Sequence, residues 1–294
     1  MEPAEPTGIL DVERLLGSSE PQPRVNPVWW VGGVCLVILL VTALVGGQSA
    51  QARQIVEIVS ALVMVGMVTA ISAISVYSVR VLRSEQQRVD GLGEMIQLRR
   101  WPDATLGLDQ FLSQPSRTLQ GRAQALVYLA QVLSRLGRFD DAMAVQNYLI
   151  DEKILDPAGT AAIRLARAMA MLRQDHLFDA DRAISELRRG PAGQTAALAL
   201  VEIYRDVKTG HPTEAIELFE RKLPALRDEL GHRVSDAYVL IARAYDLLNR
   251  QEEARVAFRN ATLLAPVAEL FRRYPEVQKM AERYQPAPAP PEAA

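Results

Sequence analysis

A chain of 294 residues that is 49% hydrophobic and 23% charged has the make-up of a folded protein rather than a disordered one. Its formal charge of −2 denies it the concentrated basic surface that a phosphate backbone requires, which excludes nucleic acid as a partner. A single cysteine, Cys35, leaves nothing for an intrachain disulfide or thiolate cluster. His176, His211 and His232 lack ligand spacing, so neither metal nor cofactor is expected.

Residues 1–27 are acidic and Pro-rich and read as a disordered tail. Within it ILDVERLL, residues 9–16, forms at most a short helix, because a helix of that length is marginal in water alone; an interfacial helix or docking peptide is the alternative. The run Val28 to Gly47 then holds twenty positions without a charge, enough at roughly 1.5 Å per residue to cross a hydrocarbon core of about 30 Å. Trp29 and Trp30 stand at its edge, where indoles favour the headgroup boundary. A cleaved signal peptide is the rival reading, disfavoured by the acidic start and by an apolar run longer than the usual, about 7–15 residues.

A second uncharged run, Ile58 to Val79, is bounded by Glu57 and Arg80. Residues 28–80 thus read as a transmembrane helical hairpin with spans at 28–47 and 58–79, held in the lipid bilayer. Arg14 and Arg24 precede it and Arg80, Arg83 and Arg88 follow, against Arg53 alone in the connection, which puts both termini in the cytoplasm. Neither span has an ionisable residue in its interior, so the hairpin is an anchor rather than an ion path. Gly66, Ala70 and Ala73 share a face suited to packing on the first span; a homo-oligomer is the other use of such a face. Residues 81–91 continue as a linker helix.

From about residue 92 to 284 the apolar spacing is helical, which makes the fold class all-α, and a short pattern recurs. Asp103-Ala104, Asp141-Ala142, Asp179-Ala180, Glu214-Ala215 and Glu253-Ala254 stand 38, 38, 35 and 39 residues apart, each shortly after a turn. An acid in a helix's first turn interacts favourably with the helix dipole, and the Ala beside it lets helices approach closely. Four residues after each Ala come Leu108, Gln146, Ile184, Phe219 and Phe258, on the same face one turn later.

The last unit, Ser235 to Pro266, resembles the tetratricopeptide repeat: Tyr238, Ala242, Tyr245, Ala254, Phe258, Ala261 and Pro266 stand at that family's spacing, with Gln251 where an aromatic is usual. The unit around Ala130, Gly137, Phe139 and Ala142 resembles it nearly as well. The resemblance implies an α-solenoid of about five helix pairs. It also implies a concave groove, lined by first helices, that holds a protein or peptide. The final helix, about 268–284, carries Glu269, Arg272, Arg273, Glu276, Lys279, Glu282 and Arg283, which suits a solvent-facing capping helix, and 285–294 reads as a disordered Pro/Ala tail. Projected onto this sequence, the residues of the implied groove are Gln131, Arg135, Arg173, Arg243 and Asp246. The clamp for a terminal carboxylate known in one branch of the family is replaced by Val127 and Gln131, Leu165 and Met169, Val239 and Arg243, which disfavours that ligand.

No phosphate loop, nucleophile elbow or dinucleotide fingerprint appears, since Gly91-Leu92-Gly93 lacks a third glycine and a preceding strand, so no catalytic residue is expected. The functional expectation is a scaffold at the cytoplasmic membrane face. An assembly or quality-control factor of a cell-envelope complex is the alternative.

Overall fold

The computed structural model describes residues 10–20, 32, 33, 36, 37, 40 and 50–284, and among these every regular element is helical. The first apolar run lies mostly outside the described residues; Gly32, Gly33, Leu36, Val37 and Leu40 within it are helical and exposed. The expected tail at 285–294 lies outside them as well. The chain divides into two compact units, Met1–Tyr128 and Leu129–Ala294.

In the first unit, α1 (Val12–Ser18) is a docked helix where a tail was expected. Asp11 caps it by accepting from the Arg14 N–H at 3.2 Å. Alone it would be too short to persist; tertiary contacts supply its order. Leu10, Val12 and Leu15 are buried, Ser18 donates to the Leu112 carbonyl at 2.7 Å, and the buried Arg122 donates to Ser19 Oγ and the Leu16 carbonyl.

Helix α2 (Ala50–Gln97) starts earlier than the expected second span and passes through Gly91 without a break. Its two halves meet different surroundings. Ile58, Leu62, Met64, Val65, Val68, Val76 and Tyr77 are all exposed, whereas Glu85, Val89, Leu92 and Ile96 form a buried stripe one helical turn apart. Among the described residues the stretch Ala61–Gln97 is long and apolar enough to cross a membrane, with a mean hydropathy of 2.0 over its apolar window and none of that window buried. The buried half packs on α3 (Trp101–Leu112). A Cβ on Gly93 would stand 2.5 Å from the Tyr128 hydroxyl, so a larger residue there would make the Tyr128 side chain shift.

Helix α4 (Leu119–Arg135) is shared by the two units. The second unit continues with α5 (Phe139–Asp151), α6 (Pro157–Arg173), α7 (Leu177–Arg189), α8 (Ala196–Thr209), α9 (Pro212–Leu230), α10 (Val234–Leu247) and α11 (Gln251–Leu264). Within it each helix packs on the next, and α6, α8 and α10 also touch in turn. This neighbour pattern, in which first helices stack on first helices, is consistent with an α-solenoid.

The recurring acid-Ala pairs mark one repeated backbone device. Four residues before each acid stands a left-handed residue: Arg99, Gly137, Asp175, Gly210 and Asn249, with φ between 58° and 80°. The next residue's N–H then donates five positions back, to Met95, Leu133, Met171, Asp206 and Tyr245 carbonyls at 2.8–2.9 Å, closing the preceding helix. Ala104, Ala142, Ala180, Ala215 and Ala254 are each 0% exposed, so the helix that follows leaves no room for a larger side chain at this contact. In three units the acid also pairs with the Arg three positions earlier: Arg100 with Asp103, Arg138 with Asp141, Arg250 with Glu253.

The expected solvent-facing cap over 268–284 is corrected by the structure. The segment is broken by Tyr274-Pro275 into α12 (Val267–Arg273), a single 3-10 turn and α13 (Gln278–Tyr284). Its Leu270, Tyr274, Val277, Met280 and Ala281 are each 0% exposed and belong to the core of the second unit. The charges that suggested exposure alternate with apolar positions, and many of them end in ion pairs.

Candidate partner-binding face

The first helices of the pairs end or turn toward one shared set of contacts in the second unit. Arg135 closes α4, Arg173 closes α6, Tyr204 lies in α8, and Asp236 and Asp246 stand at the two ends of α10. All five side chains touch the segment 267–284. Arg135 lies 3.9 Å from the Glu269 carboxylate. The Arg173 guanidinium sits 5.7 Å from the Tyr274 ring centroid and equally far from that of Phe139, within cation–π range. Tyr204 meets Tyr274 edge to face, centroids 5.4 Å apart and planes at 86°, while its hydroxyl donates to Glu276 Oε1 at 2.9 Å. Arg273 donates to Asp236, and Arg283 donates to Asp246 Oδ2 at 3.0 Å.

The electrostatics follow from burial. Desolvation, reinforced by the Glu276 carboxylate, pushes the Tyr204 hydroxyl far above the usual phenol range, so it remains a donor. Burial likewise raises Tyr274, with Asp236 adding to it. Asp236 is pushed above the ordinary carboxylate range by burial, against the opposing pull of Arg273, Arg233 and Arg173. This face therefore combines the guanidinium groups of Arg135 and Arg173, the carboxyls of Asp236 and Asp246, and the Tyr204–Tyr274 ring pair.

Of the residues projected from sequence, Arg135, Arg173 and Asp246 meet the C-terminal segment directly. Arg243 joins them through Asp246, to which it donates at 3.0 Å. Gln131 is exposed on α4, and Val239 is fully buried in α10. Sequence reasoning missed Tyr204 and Asp236, which lie in units where the repeat pattern is degenerate or at a helix start. A signal was available in the segment itself: Leu270, Tyr274, Val277 and Met280 recur at helical spacing, as a buried face does.

The class these features define is a helical-repeat protein built from antiparallel pairs. A family model described as tetratricopeptide repeat matches residues 235–267, the α10–α11 pair, so the chain contains a repeat of that family. No curated protein and no solved structure matches the chain.

Proposed function

We propose that this chain is a membrane-anchored scaffold that binds a protein or peptide partner on the face formed by its first helices, at the cytoplasmic side of a membrane. One observation carries the binding half: that face accommodates a peptide segment of the same chain through cationic, aromatic and carboxylate contacts in series. Tetratricopeptide repeats typically serve protein interaction, and the α10–α11 match supports the same reading.

The anchoring half rests on exposed apolar surface and on parity. Soluble monomers rarely leave a long contiguous apolar patch in water, and the described part of the 58–79 stretch of α2 presents one, half-buried only along Val63, Met67, Ala70 and Ile74. If α2 crosses a bilayer there, its buried half around Val89–Ile96 lies on one side together with α3. Helix α1 is bonded to that same unit through Arg14–Asp109, Ser18–Leu112 and Arg122–Leu16. Residues 20 and 85 must then share a side, and the chain between them crosses an even number of times. The run 28–47 supplies the return crossing, as a hairpin requires.

Photo-crosslinking from Gln131 in native membranes, followed by pull-down, tests the scaffold reading; a specific crosslinked protein is expected. Turnover of a small substrate by the purified chain, with no protein captured, would overturn it. For the topology, a fusion after Gln285 is expected to keep alkaline phosphatase inactive, and an active fusion would refute the assigned side.

A further inference from the structure

The segment 267–284 has features of a ligand more than of a repeat. It follows the extended backbone of Ala265 and Pro266, beyond the acid-Ala register. Each of its helices has seven residues, too few to hold together without a surface to dock on. It contacts the first-helix face at several points: Glu269 with Arg135 on α4, the Tyr274 ring with Arg173 on α6 and Tyr204 on α8, Glu276 with the Tyr204 hydroxyl, and Arg273 and Arg283 with Asp236 and Asp246 on α10. The first helices α4, α6, α8 and α10 each contribute a side chain, so the segment is bound across several repeats rather than to one.

The fit is incomplete in its polar atoms. The Tyr274 hydroxyl and the Nε atoms of Arg173 and Arg273 are buried without a hydrogen-bond partner among the described residues. A buried donor left unmade costs free energy that a water-exposed one does not.

We infer that the segment 267–284 is a built-in occupant of the partner-binding face, exchanged for a partner segment of the same chemistry. That partner carries an aromatic ring with a carboxylate five positions before it and another two positions after it, the spacing of Glu269, Tyr274 and Glu276. An arginine adjacent to the ring answers Asp236. This inference rests on the proposed binding role of the first-helix face. It adds that the face is closed at rest and that binding competes with the chain's own C-terminal segment, which stays tethered and so rebinds at high effective concentration.

The test uses the full chain in nanodiscs and, as probe, a fluorescein-labelled peptide of the 267–284 sequence. The wild type is expected to bind it weakly. The Tyr274→Ala, Glu276→Gln double variant, with its cis segment loosened, is expected to bind at least tenfold tighter while keeping wild-type helicity. Adding Arg173→Ala is expected to abolish that gain. Equal affinity for wild type and double variant overturns the inference, and so does loss of cooperative unfolding in the double variant, since the segment would then be a structural part of the array. Dimers formed by the double variant through mutual exchange of segments count against it too, because the occupant would be a second copy. A crosslinked protein partner that binds both forms equally leaves the scaffold reading intact and removes only the built-in occupant.

Discussion

The two terminal segments of this chain dock by different chemistry. At the N-terminal end, α1 is held by three buried apolar side chains, by hydrogen bonds to the Leu112 and Leu16 carbonyls, and by the partly exposed Arg14–Asp109 ion pair. At the C-terminal end, 267–284 buries Leu270, Tyr274, Val277, Met280 and Ala281 and adds a run of ion pairs and an aromatic edge, with the Tyr274 hydroxyl and Arg273 Nε without a partner among the described residues. Bonds to carbonyls depend on neither side-chain ionisation nor salt, and suit a permanent fastening. Side-chain pairs that another sequence could reproduce suit exchange. The same need, to order a segment too short to be stable alone, is met once as a clasp and once as a latch.

The largest way to break this contrast is Tyr274→Ala. Truncating a fully buried aromatic costs about 3–5 kcal/mol, here concentrated on the segment it anchors. Hydrogen exchange is expected to rise sharply across 267–284 while the amides of α10 and α11 keep most of their protection. Leu15→Ala is the matching change at the other end, with a cost of about 2–4 kcal/mol for a fully buried leucine. It is expected to free residues 10–20 for proteolysis and to leave 267–284 untouched. Protection lost at both ends in either variant would show that the two segments are not independent.

How far each feature can be read from sequence follows from the same contrast. The repeat turns repeat themselves: the acid, the Ala and the apolar residue four on recur because each turn solves one steric problem, and every such Ala is fully buried. The left-handed residue before them is harder to see, since Arg99, Asp175 and Asn249 fill a place where glycine would have announced it. Neither terminal segment repeats anything. In α1, the apolar positions are too few for a period to show, and Ser18, Ser19 and Arg122 become meaningful only once Leu112 and Leu16 are brought beside them. In 267–284 the charge count suggested a wet surface, because Glu269, Glu276 and Arg273 find partners 134, 72 and 37 positions away in the chain. Arg135 and Arg173, which contact 267–284, were among the residues projected from the repeat; Tyr204 and Asp236 were not.

Smaller effects sharpen the distinction. Arg122→Met keeps the length of a buried side chain but leaves the Leu16 carbonyl and Ser19 hydroxyl without their donor, a loss of about 1–3 kcal/mol. Denaturant melts followed at α1 should report it. Salt should act the other way round. Raising ionic strength from about 0.1 M to about 1 M shortens the Debye length from roughly 10 to roughly 3 Å, and the half-exposed Arg283–Asp246 contact should weaken by up to about 1 kcal/mol. Exchange should quicken more at 278–284 than at 10–20, where Arg14–Asp109 is screened too but the bonds to the Leu112 and Leu16 carbonyls are not; equal responses would erase the difference drawn between clasp and latch.

The finest test is pH, through Asp236. Burial is the largest influence on this carboxyl and holds it above the ordinary range despite Arg273, Arg233 and Arg173. A raised native pKa means that the folded chain retains a proton which the unfolded chain gives up. Its contribution to stability is therefore fully present below the unfolded value of about 3.9 and is lost as pH rises through the native one. The stability of the wild type relative to Asp236→Asn should be greatest at the acidic end, shrink as pH climbs from about 4, and then level off. Urea melts of both forms across that range give the difference directly. A gap that widened with rising pH would mean that pairing with Arg273 outweighs desolvation, which would make this contact a strong fastening and move the C-terminal segment toward the permanence of α1.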